Sequence, residues 1–150
     1  MEVIRTQRGI GLLELMLSLA IIALLLVMAT RYFSSARLSQ QIAAAVSQVQ
    51  AIAAASQSYY IGNNNLMTGV STAIFASNNT YLVNPASTQH SPWGGNITIA
   101  PFGTNAAVTI TIPDVPDANT CTRLVAALQG STAPGAGAPS CQGTVFKGNF

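Results

Sequence analysis

From Ile10 to Ala29 every side chain is apolar, small or hydroxylated except that of Glu14. A helix rises about 1.5 Å per residue, so about twenty such residues cover the ~30 Å hydrocarbon core of a bilayer. The segment is therefore predicted to be a helix long enough to span a membrane. The carboxylate near its start is the anomaly. A charged side chain inside hydrocarbon costs about 2.5–3.5 kcal/mol on insertion scales, so it marks a function or a specific partner unless it lies near enough to the interface to reach water.

The residues before the run sharpen that choice. An ordinary targeting sequence has a basic start, then an apolar region, then a small-residue cleavage site. Here Arg5 and Arg8 supply the basic start, but the small residue Gly9 precedes the apolar run. Cutting after Gly9 would remove the charges and keep the apolar segment. The product would begin with a free α-amino group on Ile10, with Glu14 one helical turn further on. In a bundle of identical helices, the amine of one chain could then neutralise the carboxylate of another.

At Gly9, Ile10 and Glu14 the chain resembles the type IV pilins, whose precursors carry a short basic leader, a glycine, an apolar residue and a glutamate at the fifth mature position. The resemblance implies cleavage between Gly9 and Ile10 by a prepilin peptidase that also N-methylates Ile10, and a role for Glu14 in subunit assembly. It implies an α+β fold in which a long N-terminal helix, half membrane-spanning and half amphipathic, packs on a small antiparallel sheet with a C-terminal disulfide-bounded region. It also implies a helical homo-polymer built at an inner-membrane assembly platform. The leader would lie in the cytoplasm and the C-terminal part outside, so the precursor would sit in the bacterial inner membrane and the mature chain in an extracellular pilus. Charge counting alone leaves topology open, because Arg31 and Arg37, flanking Tyr32 as an interfacial anchor, compete with Arg5 and Arg8.

Composition fits a single small domain beyond the membrane segment. The chain has 150 residues, so about 120 remain for a modest core. Only 7% of residues are charged. Without Glu2, Arg5 and Arg8, the cations Arg31, Arg37, Arg123 and Lys147 stand against Glu14, Asp114 and Asp117, four against three. Nucleic acid is not indicated by that balance.

Ser34 to Tyr60 contains neither Pro nor Gly, and Leu38, Ile42, Val46, Val49 and Ile52 (or Ala53) recur at spacings of three and four. The polar set Ser39, Gln40, Gln41, Ser47, Gln48 and Gln50 falls between them, which predicts an amphipathic helix continuous with the membrane span. Gly62-Asn63-Asn64-Asn65 should end it, since Gly and Asn accept the left-handed conformation of a helix end. The alanine runs 43–45 and 53–55 would permit close approach by other helices. The expected organisation is a leader at 1–9, a membrane or filament-core helix at 10–30, its amphipathic half at 31–62 and a globular head at 63–150.

In the head, Leu66, Val70, Ala73 and Ile74 suggest a short second helix, followed by a loop from Ser77 to Gly95 containing His90 and Trp93. Trp93 is expected to anchor that loop on the sheet or, if exposed, to mark a contact surface. Ile97, Ile99 and Phe102 are assigned to one face of a strand, and Val108, Ile110 and Ile112 to one face of the next, with Thr109 and Thr111 opposite. A turn at Gly103-Thr104-Asn105 would join them, giving a hairpin with one buried and one hydroxyl-rich face. Asp117 or Asn119 can cap a helix carrying Leu124, Val125 and Leu128, and Thr144–Lys147 should add a last strand. In an exported domain Cys121 and Cys141 are read as a disulfide closing a loop of about twenty residues. The ending around Cys141-Gln142-Gly143-Thr144, Ile10 rather than Phe as first mature residue, and a long helix free of Pro are similar to type IVb pilins; the short leader and small mature chain depart from that group.

No catalytic set, cofactor site or metal site can be assembled from one His and three mature acids, so the chain is read as no enzyme. Asn78-Asn79-Thr80 and Asn96-Ile97-Thr98 match the Asn-x-Thr glycosylation pattern, a weak signal. The expected function is that of a structural pilus subunit serving adhesion, aggregation, motility or DNA transfer. The alternatives are a minor pilin or type II secretion pseudopilin, and, from another class, an anchored periplasmic binding domain that does not polymerise.

Overall fold

A computed structural model describes residues 11–77, 81, 89–103 and 107–150. Gly9, Ile10, the Asn78-Asn79-Thr80 pattern and the turn residues Thr104 and Asn105 lie outside these. The described elements are helices α1 (Leu12–Gly62), α2 (Thr72–Ser77) and α3 (Ala118–Leu128), and strands β1 (Thr98–Phe102), β2 (Ala107–Ile112), β3 (Ser140–Gln142) and β4 (Val145–Asn149). A 3₁₀ turn, Gln129–Ser131, follows α3. The chain divides into two compact units, 1–37 and 38–150.

In the first unit α1 is apolar or hydroxylated all round from Leu12 to Ala29, Glu14 apart. Its most apolar 18-residue window has a mean hydropathy of 2.7 and none of it is buried. Large side chains from Leu12 through Phe33 are exposed all around the helix. Near the end of this stretch the Arg37 guanidinium lies 4.9 Å from the Phe33 ring centroid, one helical turn apart.

In the second unit the remaining turns of α1 bury one stripe, Ile42, Ala45, Val49, Ile52, Ala55 and Ser56. Ala45, Val49, Ile52 and Ala55 of that stripe pack with Ile99, Val108, Ile110, Ile112 and Phe146 of the sheet and with Cys121, Leu124 and Leu128 of α3 in one core. The helix ends where Asn64 and Asn65 turn left-handed (φ 51° and 60°), and the Asn65 amide donates to the Tyr60 carbonyl at 2.9 Å. The second helix starts later than the 66–74 periodicity predicts. Gly69 at φ +83° interrupts any helix there, and α2 forms only from Thr72, delivering Phe75 into the core. Tyr59, Phe75 and Tyr81 then meet edge to face, with ring centroids 5.6–6.4 Å apart.

The sheet is antiparallel in the order β1-β2-β4-β3. Ile99 pairs with Ile110 and Ile112 with Phe146, which lines up the apolar face. Phe102 does not join it. It differs from Ile97 and Ile99 by an odd number of residues, so it falls on the opposite face, where it is 37% exposed. The hydroxyl-rich face is open at Thr98 but closed at Thr109. Thr109 Oγ1 donates to Asn149 Oδ1 at 2.8 Å, and Asn149 Nδ2 donates to the Ala136 carbonyl at 2.8 Å, drawing the 133–136 loop over it. Strand β3 has no alternating pattern of its own and exists by pairing with β4 across the Gly143-Thr144 turn.

Asp117 caps α3. Its carboxylate accepts from the Thr120 amide at 2.8 Å and from the Thr120 hydroxyl at 3.0 Å. Those two bonds, the amide first, hold its pKa below the ordinary 3.8. Because the native value is depressed, the charged cap stabilises the fold above the ordinary pKa, and that stabilisation is lost as pH falls through the native value. Asp117→Asn should therefore melt below the wild-type protein at neutral pH, with the gap closing below pH 3.8. A gap that stays constant in thermal scans down to strongly acidic pH would refute the cap's charge.

Gly148 gives a second expectation. A methyl group there would lie 2.6 Å from the Phe150 ring and 3.2 Å from that of Phe146, whereas one at Gly130 would meet nothing within 4 Å. Urea unfolding should show Gly148→Ala destabilised by about 1–3 kcal/mol, and Gly130→Ala within about 0.5 kcal/mol of wild type.

Candidate functional site

The predicted site begins at the first turn of α1. Gly11 precedes the helix, and its carbonyl accepts from the amides of Glu14 (3.0 Å) and Leu15 (3.2 Å). Glu14 thus sits in the first turn, where the helix dipole favours a negative charge. Among the described residues its carboxylate has no ion-pair partner, and the large side chains beside it, Leu12, Leu13, Leu15 and Met16, are all exposed. A lone acid in an exposed apolar stretch is costly to place in hydrocarbon unless it is paired or reaches water.

The other candidates fall in the second unit, where they build structure. Trp93 packs against the core and its Nε1 is buried, as expected of a loop anchor. The loop folds on itself through Ser91 and Gly95, with the Ser91 amide donating to the Gly95 carbonyl at 2.8 Å. Two side chains of α1 fasten it. Gln41 Nε2 donates to the Pro92 carbonyl at 3.5 Å and Gln48 Nε2 to the His90 carbonyl at 3.3 Å. Helical periodicity assigns both glutamines to the polar face; they flank the buried stripe, and the loop covers them. His90 is exposed and bridges Asn96 through the backbone.

Cys121 and Cys141 are bonded, with Cα atoms 6.1 Å apart. The link joins the first turn of α3 to β3 and seats the Cys121 sulfur in the core. Among the described residues no group of three or more His, Cys, Asp or Glu side chains comes together. A cleft of about 300 Å³ between α1 and the 131–134 loop, lined by Tyr60, Met67 and Phe150, carries no charged side chain.

An uncovered apolar helix with one acid in its first turn, continued into a head of four antiparallel strands and a C-terminal disulfide, defines a pilin-like α+β protein. The comparisons with known families agree: the prokaryotic N-terminal methylation motif matches residues 4–30, and the family described as PilS N terminal matches residues 36–136. The chain belongs to that family of type IV pilin-like proteins. Pilin-family domains are structural rather than enzymatic. No curated protein and no solved structure matches the chain.

The disulfide closes a loop of 20 residues, for which the chain-entropy relation gives about 3 kcal/mol. Cys121→Ser/Cys141→Ser should lose about that much in urea unfolding, and reductant should lower the wild type to the same stability while leaving the variant unchanged.

Proposed function

We propose that the chain is the precursor of a type IV pilus subunit, cut after Gly9, N-methylated on Ile10 and polymerised with copies of itself through the apolar part of α1. One observation carries the reading: the methylation motif at residues 4–30 coincides with an uncovered apolar helix holding a single carboxylate that no described residue pairs. Before assembly, lipid covers that helix in the inner membrane. After extraction, the helices of other copies take the place of the lipid, and burying about twenty apolar residues per subunit among them keeps the helix out of water.

Glu14 gives this association its register. In a low-dielectric bundle an isolated carboxylate is costly, so a subunit is stable only where a cation meets it. The methylated amine of Ile10 on a neighbouring copy is a cation at the correct end of the helix. The prepilin peptidase and the assembly platform are the further partners of this reading. The finished filament lies outside the cell, with the 63–150 head on its surface.

Mass spectrometry of the protein recovered from cells tests the processing. The expected mass starts at Ile10 with one added methyl and two hydrogens fewer for the disulfide; an intact N terminus would overturn the proposal. Glu14→Gln tests the assembly. It should be cleaved and methylated normally, yet yield at least tenfold fewer sheared surface filaments. Normal filament yield from that variant would remove Glu14 from the mechanism.

A further inference from the structure

We infer that Thr72 seals the free edge of the sheet against strand addition by a second copy of this chain. Strand β1 is an edge strand, bonded to β2 on one side only. The Val108 amide and carbonyl bond to Phe150, on the β4 side. With the register Thr98↔Thr111 and Ala100↔Thr109, the alternation of an antiparallel ladder turns the amides of Thr98 and Ala100 toward β2 and those of Ile97 and Ile99 away from it. An outward row of backbone groups is a template for another strand.

The chain occupies that row with groups that belong to no strand. The Ile97 amide donates to the Gln89 carbonyl at 3.0 Å. Thr72 Oγ1 accepts from the Ile99 amide at 3.0 Å and donates to the Ile97 carbonyl at 3.3 Å. One hydroxyl thus does what the amide and carbonyl of an incoming strand residue would do. The next outward position is Pro101, which has no N–H to offer. An approaching strand finds no free donor along β1, so the pairing that joins two such edges is blocked.

The partner excluded is a second β1. The strand's solvent face carries Thr98, Ala100 and Phe102 without any charge to repel a copy, so closure depends on Thr72 and Pro101. The seal is independent of how copies meet through α1.

Amide exchange of the full-length chain in detergent micelles, read at Ile99 over a concentration series, tests the inference. In Thr72→Val the dilute protein should exchange at Ile99 at least tenfold faster than wild type. Concentration should then restore protection through edge-to-edge pairing. Adding Ala100→Lys should abolish that recovery without slowing exchange in the dilute state. Thr72→Ser should match wild type. Pro101→Val, which adds a donor to the edge and leaves Thr72 in place, supplies a test that survives if Thr72→Val fails to fold: it should associate through the same edge and be reversed by Ala100→Lys. Wild-type exchange in Thr72→Val, fast exchange at every concentration, or Pro101→Val that never associates beyond wild type would each overturn the seal.

Discussion

A helix that is apolar on every side has to be covered, and the described residues bury none of the window that is most apolar in α1. That constraint governs the chain. Where α1 is apolar all round, it needs lipid or other helices; from Leu38 onward only one stripe is apolar, and the chain's own sheet and α3 satisfy it. Glu14 sits in the part that no described residue buries. On the proposed reading its acid is paired by another copy, and that dependence is what makes it a register device.

The head is held by neutral polar groups in place of charges. Gln41 and Gln48 bond loop carbonyls, Asn63 bonds the Leu66 carbonyl, Asn149 ties the 133–136 loop to β2, and Thr72 bonds β1. Such bonds are worth about 1 kcal/mol each and are not screened by salt. With 7% of residues charged, ionic groups contribute little to the head, and the carboxylate of the Asp117 cap, held below its ordinary pKa by Thr120, stays charged at neutral pH.

Much of this is legible in the sequence because it rests on short-range rules. The end of α1 needs only Gly and Asn at the break, the α3 cap needs Asp117 three residues before Thr120, and the β2 face needs only alternation. What is not legible depends on distant residues. Nothing local marks Thr72 as the partner of a strand 27 residues away, nor Gln48 as the partner of His90, since helical periodicity sees polar residues and not the loop that will cover them. Strand β3 has three residues and takes its form from β4 and Cys141. Phe102 is misplaced by parity: its bulk suggests the core, while an alternating strand puts it outside.

The two halves of the chain treat association in opposite ways. Exposed apolar surface on the first part of α1 favours anything equally apolar, and it is not directional by itself. Backbone edges are directional, but they accept any strand, including those of the wrong partner. On the proposed reading the chain gathers at high local density in a membrane, and the first kind of association is then usable only if the second is shut. Thr72, Pro101 and the Gln89 carbonyl close the β1 edge, and the brevity of β3 leaves little to pair at the other. On the proposed reading, selectivity then comes from Glu14, because a helix bundle without a paired acid has no preferred axial register, whereas one cation at one height fixes it.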